Sequence, residues 1–324
     1  MSCLKLLAES LQKEGRLEHM AVRVGKGDRI LAEYYMNTDP QTLFDMASVT
    51  KILSVTPLML MALEQGRIAL ETPLSDALTV RHLLTHTMGV GHRNLCQSGV
   101  TYQNVGDYIL SLEPEIPVGS DVRYSCPAFI LLGKLLEKTY GKRLDDLFRE
   151  QVAVPLGMSR SGFLPTEREN IVNANATPEE LGLVNDYNCR FLGGVAGNAG
   201  IFSCIEDLQK YAEMLLSRGA PLFGGEIFDL AAQNHTSTMS EARGLGFLYV
   251  DERYPQTGRL FPVGSIGHCG HTGQMLFVHP ESGLYAIVLT DATLHHPKRY
   301  DLVKKMREEI SNAIFYDISK EASH

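Results

Sequence analysis

Two blocks of strand-patterned sequence stand at opposite ends of this 324-residue chain, and a long stretch with mostly helical patterning separates them. Near the start, MAVRVGK (residues 20–26) and DRILAEYYM (28–36) carry apolar or alternating residues on either side of Gly27-Asp28, which predicts two antiparallel strands joined by a tight turn. Near the end, GFLYV (246–250), QMLFVHP (274–280) and LYAIVLT (284–290) repeat the signal, and a helix follows over about 298–316. Strand material from both ends buries its edges most simply in one sheet. The predicted fold is therefore α/β: an antiparallel sheet flanked by helices, with an inserted mostly helical lobe. The sheet domain is discontinuous, 1–66 and 241–324, the lobe spans 67–240, and a cleft lies between them.

Within the first block, residues 48–65 switch to a helical period and are apolar on most sides, as a buried central helix requires. Pro57 should bend this helix, because it lacks a backbone donor and crowds the carbonyl of Leu53. Gly66 supplies the stop. The segment MSCLKLLAESLQKEGRL reads as a surface helix through Leu4, Leu7 and Leu11.

Composition excludes several function classes. The formal charge of -8 offers no global positive field for nucleic acid, and the basic residues Lys298, Arg299, Lys304, Lys305 and Arg307 read as a solvated helix face. The most apolar run, Ile52 to Leu63, is broken by Ser54, Thr56 and Pro57 and is shorter than about 18 residues, so no membrane partner is expected. An apolar leader is absent from the first residues, and the expectation is a cytoplasmic protein. The cysteines at 3, 96, 126, 189, 204 and 269 include no CxxC pair and are expected to be free thiols. A homo-oligomer would be unremarkable.

Chemistry enters with Ser48 and Lys51, three residues apart at the start of the buried helix. This spacing puts hydroxyl and amine on neighbouring parts of one helix face. A serine hydroxyl becomes a useful nucleophile when another group accepts its proton, and a desolvated lysine can do so. Taken alone, the four residues more readily fit an N-cap serine followed by a solvent-facing lysine.

A wider set of motifs surrounds this pair. FDMASVTKILSV around Ser48, HLLTHTMG (82–89), YSC (124–126), GGVAGNAGIFS (193–203) and GHTG (270–273) together resemble the serine beta-lactamase-like family, in particular its class C and low-molecular-weight penicillin-binding branch, which also contains esterases and D-amino-acid-specific peptidases. The resemblance implies that Ser48 is acylated, that Lys51 activates it, and that Tyr124 exchanges a proton with Ser48 and then with the leaving group or water. It places Cys126 where the family commonly has asparagine, which removes an amide from substrate recognition. It equates His271-Thr272-Gly273 with the family's third-motif strand. There His271 replaces a permanent cation with a titratable group that tunes Tyr124 or binds the acyl substrate, and Gly273 lets the sheet edge approach. The oxyanion hole would use the backbone N–H groups of Ser48 and Gln274. No metal or organic cofactor is implied; the expected partner is a small acyl substrate.

Other motifs promise more than they deliver. His82, His86 and His92 lack an HExxH frame or a nearby carboxylate set, and His268, Cys269 and His271 are poorly spaced for one metal. GGVAGNAG matches no nucleotide-binding fingerprint and suits tight turning and close packing. The functional expectation is a serine hydrolase for small carboxylic esters. The alternatives are a beta-lactamase-like amidase, a D-aminopeptidase, or a catalytically silent binding protein on the same fold.

Overall fold

The computed structural model describes residues 2–166, 169–253, 257–295 and 299–321. Its main sheet has six antiparallel strands: β1 (Met20–Lys26), β2 (Arg29–Met36), β6 (Leu248–Tyr249), β7 (Ile266–Cys269), β8 (Met275–His279) and β9 (Leu284–Thr290), in the order β2-β1-β9-β8-β7-β6. The hairpin pairs Lys26 with Arg29, leaving Gly27-Asp28 as its two-residue turn, with Gly27 at φ 55°. Strand β1 then pairs along its length with β9, from Met20 opposite Thr290 to Lys26 opposite Leu284. The two ends of the chain thus form one sheet.

Alternation along the strands sends side chains into two cores. Met20, Val22 and Val24 of β1 and Ala286 and Val288 of β9 pack with Leu4, Leu11, Met306, Ile310 and Ile314. These last residues come from helices Cys3–Lys13 and Tyr300–Glu321, which cover one face. Ala21, Ile287 and Leu289 enter the larger core with Leu208 and Tyr211 of helix Ile205–Leu216, on the other face. The terminal helix corresponds to the segment predicted over 298–316; Lys298 lies outside the described residues.

A smaller sheet leads into Ser48. Its strands are β3 (Phe44–Asp45), β4 (Gly162–Phe163) and β5 (Ile201–Ser203), in the order β3-β5-β4. Beyond β3 the chain enters a tight 3-10 turn (Ala47–Val49), then a wide π turn (Lys51–Val55), then helix Thr56–Glu64. The bend expected at Pro57 takes the form of this wide turn. Thr56 N–H reaches Lys51 O, and Pro57 falls in the first turn of the following α segment, where a missing donor costs little. The same arrangement recurs at Arg149–Ala153, where Val154 N–H reaches Arg149 O just before Pro155. The segment Ala47–Glu64 is long and apolar enough to cross a membrane by length and composition, and 83% of it is buried inside the molecule, as a core helix is.

Candidate active site

The site starts from a strained backbone. Ala47, immediately before Ser48, has φ 44°, a region that costs a non-glycine residue about 1–3 kcal/mol unless its surroundings enforce it. Asp45 enforces it: one carboxyl oxygen accepts Ala47 N–H at 2.8 Å, and the other accepts Asn185 N–H at 2.7 Å. Burial pushes the Asp45 carboxyl up to about 6, against the pull of those two N–H groups. This turn presents the half-buried Ser48 at the floor of a cavity of about 570 Å³.

Ser48 Oγ accepts two hydrogen bonds, from Lys51 Nζ at 2.9 Å and from the Tyr124 hydroxyl at 2.6 Å. Lys51 is fully buried and also donates to the carbonyl of Asn198 at 3.0 Å and approaches Cys126 Sγ at 3.8 Å. Burial holds its amine below the usual lysine range, and Arg243 adds to this, while Cys126 and Asp186 act the other way. Burial likewise drives the Tyr124 phenol well above its ordinary 10.0. Tyr124 is therefore a neutral hydrogen-bond donor, which favours a proton relay over a standing phenolate.

Glycine-rich and histidine-rich segments hold these groups from outside. In GGVAGNAG, a Cβ on Gly197 would stand 2.0 Å from the carbonyl oxygen of Phe129, so only glycine lets this loop bring Asn198 to Lys51. Asn198 is anchored in turn by its Nδ2, which donates to Asp186 at 2.9 Å. His86 of HLLTHTMG accepts Ser125 N–H through Nδ1 at 3.0 Å, and its ring packs 4.7 Å from that of Tyr124. It thus positions the YSC segment. The three histidines of the 82–92 region go separate ways: His82 accepts Thr79 N–H at a helix start, His86 lies under Tyr124, and His92 lines the cavity.

The third motif sits three residues earlier than the sequence suggested. Residues 271–273 do not form a strand; they form the turn between β7 and β8, with Gly273 at φ 116°. His271 lines the cavity, but its exposed ring is stacked on Tyr300 at 4.9 Å, away from the Ser48, Lys51 and Tyr124 group. Thr272 and Gln274 turn inward behind the cavity wall: Thr272 donates to Asp45 O at 3.0 Å and to the Gln274 amide oxygen, and Gln274 Nε2 donates to Thr290 O at 3.2 Å. Gly273 packs against Thr290. None of these three lines the cavity.

His268 takes the position expected of His271. It is the third residue of β7 (Ile266–Cys269), is 2% exposed, and its ring lies 6.1 Å from Tyr124. Its Nδ1 is 2.7 Å from the carbonyl of Cys269, which can only accept, so Nδ1 carries the proton and Nε2 is a buried acceptor without a partner among the described residues. Burial, with Lys51 and Arg243 nearby, keeps this ring neutral. The signal was present in the sequence: HCGHTG contains His-x-Gly twice, and the first copy is the one that closes on the site. A Cβ on Gly270 would meet Met46 O at 2.7 Å, so this glycine seats the strand end against the turn that carries Ser48.

Two cavity residues had no motif to announce them. Asp186 caps helix Tyr187–Phe191, accepting Cys189 N–H at 2.8 Å. Arg243 is 3% exposed, pairs one nitrogen with Glu241 at 2.8 Å, and stands 5.7 Å over the Tyr124 ring. For metals, one set among the described residues has suitable spacing, Glu18, His19 and Asp291, whose ligand atoms lie within 4.8 Å; it lies outside this cavity.

This arrangement matches a known family. A model described as Beta-lactamase fits residues 4–307. The chain belongs to the beta-lactamase family. Within that family it is 27% identical over 308 residues to Esterase EstB of Burkholderia gladioli, covering 77% of each chain. It is 23% identical over 304 residues to Penicillin-binding protein 4 of Amycolatopsis lactamdurans, covering 83% of this chain and 77% of that one. The solved structure of EstCE1, described as a hydrolase with promiscuous acyltransferase activity, superposes with a TM-score of 0.77 at 20% identity, over 95% of this chain and 97% of that one. The beta-lactamase-type fold predicted from the sequence is thereby established, and membership makes the chain a serine hydrolase of beta-lactamase type in general terms.

Proposed function

We propose that this beta-lactamase family member is an esterase that hydrolyses small carboxylic esters through an acyl-enzyme on Ser48. The observation that carries the reading is the convergence of Lys51 Nζ and the Tyr124 hydroxyl on one oxygen, Ser48 Oγ. Lys51, whose pKa burial lowers, takes the hydroxyl proton in its neutral form as Oγ attacks the ester carbonyl. Tyr124 passes a proton to the departing alkoxide oxygen and is reset through Lys51. Water then attacks the acyl-enzyme by the reverse path.

The developing oxyanion needs two N–H donors. The backbone N–H of Ser48 and that of His271, which follows Gly270 at the end of the cavity wall, donate to no backbone acceptor among the described residues, and we assign the pair to this role in place of Gln274. Esters are favoured over amides on chemical grounds. An alkoxide leaves with less help from protonation than an amine does, and Cys126 offers no amide with which to hold an amide substrate.

Intact-mass detection of a neutral fluorophosphonate adduct, mapped to Ser48 and lost in Ser48→Ala, tests the nucleophile. Side-by-side turnover of simple esters, D-amino-acid amides and beta-lactams tests the class. Faster cleavage of D-amino-acid amides or lactams than of esters would replace the esterase reading with the peptidase or lactamase one, and an unlabelled, well-folded protein would point to a binding role.

A further inference from the structure

Asp45 is 1% exposed, and among the described residues its carboxylate meets no basic side chain; its oxygens accept two backbone N–H groups, Ala47 at 2.8 Å and Asn185 at 2.7 Å. A buried anion without a cation beside it is costly to keep. Each of its two contacts runs on to a reacting group. On one side, Ala47 N–H fixes the positive-φ turn that presents Ser48. On the other, Asn185, which lies 140 residues from Asp45, begins the stretch of cavity wall from Asn185 to Asn188. The next residue, Asp186, accepts Asn198 Nδ2 at 2.9 Å, and the Asn198 carbonyl holds Lys51 Nζ at 3.0 Å.

We infer that Asp45 is a positioning residue that holds the nucleophile and its base in one geometry, and that it does so only while ionised. This rests on the roles that the esterase reading gives Ser48 and Lys51. An ionised carboxylate offers an acceptor to each N–H group, whereas a protonated one turns an O–H donor toward one of them. Protonation therefore weakens the hold on Ala47 or on Asn185. Burial pushes the carboxyl up to about 6 against the pull of the two N–H groups; Asp186 adds to the rise and Arg190 opposes it. Cys189 also faces Asp45, and Asp291, bonded to His19 and His295, lines the same small void. The change in hold thus falls in mildly acidic solution.

The competing role is that of an ordinary turn residue, whose contacts serve the fold whatever its charge. Asn185 gives that role some substance, because its Nδ2 donates to Ala174 O at 2.7 Å, a tie that does not involve Asp45. The two roles separate when the backbone amide shifts of isotope-labelled protein are followed between about pH 5 and pH 7.5. The Ala47 and Asn185 amides are expected to titrate together, with one midpoint near 6, and to stay flat in Asp45→Asn. Amides that do not move, that titrate with separate midpoints, or that titrate equally in Asp45→Asn overturn the inference.

Turnover of simple esters gives a second measurement. At about pH 7.5, Asp45→Asn should lower kcat/KM about tenfold or more beyond what its unfolded fraction explains, as small displacements of reacting groups do. Below about pH 6 the wild-type kcat/KM should fall more steeply with acid than that of Asp45→Asn, because the variant has no carboxyl left to protonate. Equal slopes, or a loss no larger than the unfolded fraction, overturn the positioning role. If Asp45→Asn does not fold, the wild-type amide titration decides alone. That titration needs no turnover: a shared midpoint with an unreactive Ser48 leaves the Asp45 link standing and removes the esterase reading, whereas unmoved amides with a labelled Ser48 do the reverse.

Discussion

The carbonyl oxygen of Asn198 accepts a 3.0 Å hydrogen bond from Lys51 Nζ, across 147 residues of sequence. The proposed base is thus held from a loop whose approach depends on Gly197. In Gly197→Ala the added carbon meets Phe129 O at 2.0 Å, and the loop has to retreat. The expected cost is about 1–3 kcal/mol of stability in urea melts. Ester turnover should fall further than the unfolded fraction explains, because Lys51 loses its acceptor. A variant with unchanged melts and turnover would show that the loop does not hold the base.

Lys51 should act as a neutral amine. Its folded pKa lies below 10.5, chiefly through burial, so the reactive form appears as pH rises through that lowered value. A plot of log kcat/KM should therefore climb along an acid limb that ends below the pH at which ordinary lysines titrate. Lys51→Arg keeps the charge but cannot lose its proton, and should reduce kcat/KM about 10²–10⁴-fold. Retention of most activity in Lys51→Arg would assign proton removal to another group.

Tyr124→Phe removes the 2.6 Å bond to Ser48 and leaves the ring packed against His86. We expect kcat to fall about 10²-fold or more with little change in KM, and stability to change by about 0.5–1.5 kcal/mol. A loss confined to KM would mean that the hydroxyl binds substrate and takes no part in proton transfer.

Away from the cavity, Asp291 ties the entry to β1 to the segment after β9. Its Oδ2 lies 2.8 Å from His19 Nδ1 and 3.4 Å from His295 Nε2. The hydrogen bond to Asp291 is the main cause that raises both histidines above 6.5. Their contribution is complete below the unfolded histidine pKa and is lost as pH rises through the folded values. Burial works to raise Asp291, but hydrogen bonds from both histidines and from the N–H groups of Glu18 and His19 outweigh it and hold it below 3.8. Its contribution is present above the unfolded value and is lost on acidification. This cluster should stabilise most between about pH 4 and 6.5, with Tm falling towards pH 8.5. Asp291→Asn should flatten that fall, and an unaltered slope in melts at pH 6 and 8.5 would place the pH dependence elsewhere.

The parts of the molecule most legible in the sequence were those where one local rule had no rival. β1 and β9 were predicted to the residue because runs rich in Val, Ile and Leu end in unmistakable turns. Ser48 and Lys51 were placed together by spacing alone, and the structure brings them into contact. β7 escaped because IGHC is short and contains glycine and histidine, both poor strand signals, and because the tandem His-x-Gly allowed a frame displaced by three residues. The wide turns at Lys51–Val55 and Arg149–Ala153 were hidden inside helical periodicity, although a proline follows each. Arg243 and Asp186 belong to irregular segments, where contacts far apart in sequence decide what a side chain faces.

The sheet order also governs when the enzyme comes into being during synthesis. β1 is translated well before β9, one of its two neighbours, so Val22 and Val24 wait for Ala286 and Val288. A lone hairpin of β1 and β2 is marginal in water, and pairing between chain ends carries the slow kinetics of non-local contacts. Strand β7, which carries His268 to Tyr124, joins β1 in the sheet only through β8 and then β9. Nascent chains therefore hold Ser48, Lys51 and Tyr124 long before they hold a finished cavity, which also needs Tyr300 and Lys304 from the helix beyond the last strand.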